Sequence, residues 1–423
     1  MCADALELEH GCVAGSRAVE AGARKRPAQA PALADRGRVD ATILIGIAMT
    51  LMTIGLLMTY SASATLGPAG PARKFWASPT IRQLIFILGG VAVMLVTSHI
   101  PYRIWRWRRG RLIQPSILLF LATLVLLAMV FVPGIGVVRN GARRWIQFGP
   151  PQYGLGFQPS EVAKLSMVIL LSAWFASRRN GPPLAGRFWT GMLPACAIIG
   201  VTAAAVGIED FGTGALLAGI GGMLYLAAGA RLGDVALLTI PASCGLWHML
   251  ASKPYRLERL TMFTRIWEDP LGKGYQQVQS LCAIASGGWW GRGLGQGIQK
   301  YGYLPESRTD CIFAVICEEL GLPGALVVIG LFLGLLWLGR RVMLNCPDAF
   351  GRLLALGITL TLAFQAAINI AVVTVSVPTK GIALPFVSAG GSGVLFLSAM
   401  VGVLANVART SANAPSPPHS GNA

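Results

Sequence analysis

Ionisable residues stand inside or beside long apolar blocks in four places, and these are where the chain could do chemistry. Glu161 and Lys164 open one block, in Gln158-Pro159-Ser160-Glu161-Val162-Ala163-Lys164. Three residues apart on a helix, they share a face. They can form a structural ion pair or face a substrate. Asp210 opens another block, in Glu209-Asp210-Phe211-Gly212-Thr213. It can cap a helix, line a cavity, or do both. Asp310 ends a long polar segment, in Tyr303-Leu304-Pro305-Glu306-Ser307-Arg308-Thr309-Asp310, where the next apolar block begins. It can be an N-cap, or it can stand at the mouth of a cavity among cations. Glu318 and Glu319 lie within that block. They read as structural, with one of them finding a cation. A charge at membrane depth is costly, so each of these groups needs a partner or a cavity.

The elements that must hold them follow from composition. The chain has 423 residues, of which 54% are hydrophobic and 13% charged. A soluble domain carries about 25% charged residues, so most of this surface faces something other than water. The apolar residues come in blocks near the length of a bilayer span, about 20 residues. They predict an all-α, polytopic membrane protein with about ten transmembrane helices, at 41–60, 82–100, 114–133, 160–177, 188–206, 211–229, 232–251, 311–339, 353–377 and 385–408. The first block lies too deep in the chain for a typical signal peptide. The Gly-Leu-Pro-Gly run at 321–324 predicts a kink in the eighth helix. Residues 1–39 and 410–423 read as disordered cytoplasmic tails on either side of a single transmembrane domain, 40–409.

Arg and Lys in the short loops set the orientation. Arg103, Arg106, Arg108, Arg109 and Arg111 follow the second span. Arg178, Arg179 and Arg187 follow the fourth, and Arg340, Arg341 and Arg352 follow the eighth. Both termini are then cytoplasmic, and the segments 134–159 and 252–310 are extracytoplasmic. The net charge of +17 is spread between apolar blocks, which points to topogenic charge and anionic lipid. No basic face with interleaved aromatics suggests nucleic acid. The eight cysteines form no CxxC pair, so neither a metal site nor a disulfide framework is indicated.

The long loop 252–310, before the eighth helix, begins Lys253-Pro254-Tyr255-Arg256-Leu257-Glu258-Arg259. Such a basic stretch can lie at the interface and meet phosphate groups. Ser286-Gly287-Gly288 and Gly291-Arg292-Gly293-Leu294-Gly295 follow, and their glycines allow close backbone approach. A loop so rich in Gln, Arg, Gly and Tyr can bind a sugar and a pyrophosphate together.

Over 41–409 the chain resembles the SEDS family (shape, elongation, division and sporulation) of peptidoglycan polymerases. The likeness rests on ordered motifs: Asn140-Gly141-Ala142-Arg143-Arg144-Trp145-Ile146, the Gln158–Lys164 run, Asp210-Phe211-Gly212-Thr213 and Tyr255-Arg256 through Gly295. Leu304-Pro305-Glu306, Thr309-Asp310, Glu318-Glu319-Leu320-Gly321, Pro378-Thr379-Lys380-Gly381, Leu384-Pro385-Phe386 and Ser388-Ala389-Gly390-Gly391-Ser392 complete it. The Pro-Thr-Lys-Gly and Asn-Gly-Ala-Arg-Arg-Trp forms are more similar to the FtsW branch than to RodA. Ser307, Arg308 and Cys311 depart from the family pattern around Thr309-Asp310.

The resemblance implies a ten-helix glycosyltransferase that polymerises lipid II at the outer face of the bacterial cytoplasmic (inner) membrane. It implies septal synthesis, a class B penicillin-binding protein transpeptidase as partner, and contacts with other divisome membrane proteins and with membrane lipids. By the family's motif Asp310 is the catalytic residue, and we expect it to be the general base. Arg143, Arg144, Lys164, Arg256, Arg259 and Lys380 are candidates to hold the pyrophosphate. A divalent cation, Mg or Mn, could share that role. Glu161 would orient Lys164, and Asp210 would orient a cation or line the cavity. Elongation-type synthesis, a lipid II flippase and a non-catalytic division scaffold are the alternatives.

Overall fold

The computed structural model describes residues 29–63, 78–108, 113–139, 142–147, 156–177, 184–231 and 263–411, with scattered positions between them. Most of the expected seventh span, both ends of the chain, and Arg256 and Arg259 lie outside the described residues.

The helices are α1 (Gln29–Ser61), α2 (Pro79–His99), α3 (Pro115–Met129), α4 (Pro159–Phe175), α5 (Leu193–Gly207) and α6 (Phe211–Ala227), then α7 (Tyr275–Gly287), α8 (Ile312–Asn345), α9 (Ala349–Val373) and α10 (Gly391–Ser411). A π-turn, Phe188–Met192, leads into α5. Six of the described helical segments are long and apolar enough to cross a membrane, and α3 and α6 are shorter apolar helices. α1 begins at Gln29, upstream of the expected boundary at Ala41. α10 begins at Gly391 rather than at Pro385, because residues 374–390 form a non-helical segment that folds back into the protein.

α4 is the central post, with nearly every residue from Pro159 to Phe175 buried. A helix apolar all round is a buried helix. α9 packs against it, and α10 touches it while packing mainly against α2 and α1; α2 and α8 keep broad apolar faces exposed.

Two elements depart from the expectation of helices joined by loops. The segment 134–159 contains a small antiparallel sheet, β1 (Gly136–Arg139), β2 (Ala142–Gln147) and β3 (Gly156–Phe157), in the order β1-β2-β3. Val138 pairs with Arg143, and Ile146 with Phe157. The long polar loop contains α7, whose Ser280 hydroxyl donates to the Val373 carbonyl at 2.8 Å.

The expected kink in α8 is present at Gly321, whose φ of 64° and ψ of −158° interrupt the helix. Such a φ favours glycine. Pro323 has no N–H to give the Glu319 carbonyl, and the Leu322 N–H turns to Gly288 O instead. The carbonyls of Glu318 and Glu319 are taken by the N–H groups of Arg292 and Gly293, at 2.9 and 3.0 Å. The Gly-rich loop thus completes the hydrogen bonds that the kink breaks.

Candidate active site

The site is built where α4, α6, α8 and α10 begin. The first three start beside a charged residue, and the segment 374–390 closes over the site.

α4 starts at Pro159, where the missing N–H costs nothing, and one turn later presents Glu161 and Lys164. The Lys164 ammonium donates to Glu161 Oε1 at 2.8 Å and to Gln365 Oε1 at 2.7 Å. Gln365, on α9, donates in turn to the Ala383 carbonyl at 3.0 Å. The ion pair is buried, so solvent screens it little. Glu161 Oε2 is also buried and takes no hydrogen bond among the described residues.

Asp210 is the N-cap of α6, accepting from the Thr213 N–H at 3.2 Å and from its hydroxyl at 2.9 Å. It also lies 3.5 Å from the Arg144 guanidinium. Asp210 thus caps α6 and lies beside a cation. Arg144 reaches it from β2 and donates from Nε to Glu209 O at 3.0 Å. Arg143 pairs with Val138 beside an irregularity in the β1–β2 register, where Arg144 is the extra residue; the Arg143 side chain is exposed and its backbone N–H donates to Glu209 Oε2 at 2.8 Å.

The cap position of α8 is Cys311, so Asp310 stands one residue before it and is not the N-cap. Asn369 Nδ2 donates to the Asp310 carbonyl at 2.8 Å and to that of Ile382 at 2.7 Å. The Ser388 hydroxyl donates to Thr309 O at 2.6 Å, and the Ala389 N–H to Arg308 O at 2.9 Å. These bonds stitch residues 308–310 to 382–389 and fix the base of the Asp310 side chain.

A cavity of about 640 Å³ connects these groups. It is lined by Glu161, Lys164, Arg144 and Asp310, together with Arg82 and Arg308. Arg143 and Asp210 line a smaller neighbouring cavity that shares Arg144. Lys380 stands beside the large cavity, with its ammonium 4.5 Å from the centroid of the Phe211 ring. Burial lowers its pKa, and the nearby Asp210 carboxylate partly restores it.

Of the sequence candidates, then, the fold brings Arg144, Glu161, Lys164 and Asp310 together, with Asp210 and Lys380 adjoining. It leaves Arg143 exposed beside the smaller cavity and out of the large one. Arg82 and Arg308 were missed. Arg82 had a signal, being a cation at the end of α2 opposite the basic cluster that follows that helix. Arg308 was visible only as a departure from a motif. The strands also had a signal, since Asn-Gly between two β-branched and aromatic runs marks a hairpin.

Glu318 and Glu319 are structural, as expected. Glu318 Oε1 accepts from the Ile298 N–H at 2.8 Å. Glu319 pairs with Lys300 at 2.7 Å, both side chains fully buried, and takes the Ser61 hydroxyl as well. Among the described residues no group of three or more His, Cys, Asp or Glu side chains could hold a metal ion.

Comparison with known proteins places this geometry. A family model described as "Cell cycle protein", covering FtsW, RodA and SpoVE, matches residues 41–413. The Stage V sporulation protein E of Bacillus subtilis is 40% identical over 87% of this chain and 97% of its own length. A probable peptidoglycan glycosyltransferase FtsW of Geobacter sp. is 37% identical over 86% and 95%. Among solved structures, a chain of a peptidoglycan synthase complex that coordinates polymerization and crosslinking matches 87% of this chain and 97% of its own, with TM-score 0.66 and 24% identity. The rod shape determining protein RodA of Thermus thermophilus matches 86% and 95%, with TM-score 0.59 and 23% identity. At those identities the structures speak to the fold.

Proposed function

The chain belongs to the FtsW/RodA/SpoVE family of cell cycle proteins, and from that premise we propose that it is a peptidoglycan glycosyltransferase that polymerises lipid II. The observation that carries the reading is the shared cavity, in which the Asp310 carboxylate opens onto the same space as Arg82, Arg144, Lys164 and Arg308. One carboxylate facing several cations suits a reaction in which a hydroxyl loses a proton while a diphosphate leaves.

In that reaction a sugar hydroxyl oxygen of one lipid II bonds to the anomeric carbon of the polyprenyl-diphosphate-linked strand. The bond from that carbon to the diphosphate oxygen breaks, and the configuration inverts. Asp310 takes the hydroxyl proton, a service worth about 10²–10⁴-fold in rate. Arg82, Arg144 and Arg308 stabilise the charge gathering on the leaving diphosphate. Lys164, held by Glu161 and Gln365, supplies a fixed positive charge at the cavity floor. Lys380 stabilises Asp210, which orients Arg144.

We assign the catalytic unit to residues 40–409, with ten spans, both termini cytoplasmic and the cavity facing outward, in accord with the basic short loops. We place it in the bacterial inner membrane, at the division septum. The FtsW and SpoVE names of relatives at 35–40% identity support that place. A class B penicillin-binding protein is the crosslinking partner, a reading supported by the likeness to a chain of a peptidoglycan synthase complex.

The test is polymer formation by the purified chain in detergent with lipid II, with and without that partner. Wild type makes glycan strands, and Asp310→Ala makes few or none while remaining folded. Polymer at wild-type rate from Asp310→Ala would remove Asp310 from the chemistry. No polymer from the wild type with partner present would favour a flippase or a scaffold.

A further inference from the structure

The long loop carries an apolar patch that the cavity does not use. Trp289 and Trp290, just after α7, are 75% and 86% exposed, and Leu294 and Ile298 nearby are about half exposed. Large apolar side chains clustered on a surface mark a contact.

The patch is held rigidly. Gly291, directly after the tryptophans, has φ 76° and packs against the Gly321 kink of α8 so closely that neither position has room for a Cβ. The kink hydrogen bonds and the buried Lys300–Glu319 pair pin the rest of the segment. The tryptophans are therefore fixed in height along α8.

That height can be read from the helix. A hydrocarbon core about 30 Å thick takes about 20 helical residues at 1.5 Å each. Leu322 to Arg341 is such a stretch, and it keeps the large apolar side chains of Leu326, Val327, Leu333 and Trp337 exposed. At its far end Arg341 lies over the ring of Trp337, 5.4 Å from the centroid, as interfacial residues do. At its near end lies the kink, with Trp289 and Trp290 beside it. The two aromatic sites mark opposite faces of one bilayer.

We propose that Trp289 and Trp290 form a bilayer-interface anchor, seated at the headgroup level of the same leaflet from which the cavity would draw a lipid. An indole offers an apolar body and one N–H donor, which suits that layer. Arg292, exposed beside the pair, has guanidinium donors for a lipid phosphate. The anchor sets the height of the Gly-rich loop, which is tied to α8 at the Gly321 kink. The inference rests on α8 crossing the membrane and not on the polymerase reading.

The test uses the full chain in nanodiscs of phosphatidylethanolamine and phosphatidylglycerol. The chain has eleven tryptophans, so the signal is the emission of wild type minus that of the Trp289→Phe/Trp290→Phe variant. The single variants, read the same way, serve if the double variant does not assemble. The expected difference emission is blue-shifted, protected from aqueous acrylamide, and quenched more by a nitroxide near the headgroup than by one near the acyl methyl end. Quenching by acrylamide with none from either nitroxide overturns the proposal. So does an emission that becomes protected only when the crosslinking partner is added, which would make the patch a protein-docking surface.

Discussion

Gly381 lies against the Asp310 carboxylate so closely that a Cβ built on it would stand 2.9 Å from Oδ2. The atom it would meet is the tip of a side chain, so the carboxylate can swing aside without disturbing the backbone. Gly381→Ala should therefore leave thermal stability in detergent almost unchanged while misplacing the proposed base. A displacement of about 1 Å can cost about 10²-fold, and polymerisation assays on the folded variant should show a loss of that order. Wild-type activity in Gly381→Ala would mean that Asp310 has freedom to spare.

Lys164 and Glu161 form a buried pair whose members depend on each other. Lys164→Met strands a carboxylate inside the protein, and breaking such a pair costs about 3–5 kcal/mol. Glu161→Gln strands the ammonium, with Gln365 as its remaining partner. The double variant removes both charges and should recover much of the stability, as a double-mutant cycle of melting temperatures would show. It should not recover lipid II binding, because the cavity has still lost a fixed cation.

Lys300 and Glu319 predict a different phenotype, since they lie in the loop support and not in the cavity. Lys300→Met leaves Glu319 with donors from Ser61 and the Gly295 N–H but no counter-charge. A penalty of about 3–5 kcal/mol is expected. Hydrogen exchange should then rise across residues 291–300 before it rises in α4. Equal protection of that loop in variant and wild type would show that the kink hydrogen bonds suffice.

Lys380 gives a pH dependence with a definite sign. Burial lowers its folded pKa below the ordinary 10.5, with Asp210 opposing the shift. Between the lowered value and 10.5 the unfolded chain binds the extra proton, so stability rises with pH across that window. Lys380→Met removes the difference. Wild type should therefore gain stability relative to Lys380→Met as pH is raised toward 10.5, read as the gap between their melting temperatures. A gap that shrinks or stays level would show that Asp210 outweighs the burial.

Much of the architecture was legible because its signals are local. Apolar length marked the helices, Pro159 and Asp210 marked the starts of α4 and α6, and Gly321-Leu322-Pro323 marked the kink. The three-residue spacing of Glu161 and Lys164 already implied their pairing. The sheet is hard to read from the sequence because its strands are short, with 4, 6 and 2 residues. Arg143 and Arg144 part only in the tertiary structure, where Arg144 reaches Asp210 and the large cavity while Arg143 stays exposed beside the smaller one.

The amino-acid order alone determined that this chain is a helical membrane protein of the FtsW/RodA/SpoVE kind. Hydropathy, capping residues and motif order are properties of contiguous residues. Only the tertiary structure decided which charges share a cavity. Arg82, Arg144, Lys164, and Arg308 with Asp310 come from four segments of the chain, and their approach depends on helix packing and on the fold-back of residues 374–390. It also decided that Asp310 is not a helix cap, that Glu319 belongs to Lys300, and that Asn369 holds the Asp310 backbone. Each of those partnerships crosses a distance in sequence that no local pattern encodes, because the free energy of a buried charge is set by whatever packs around it.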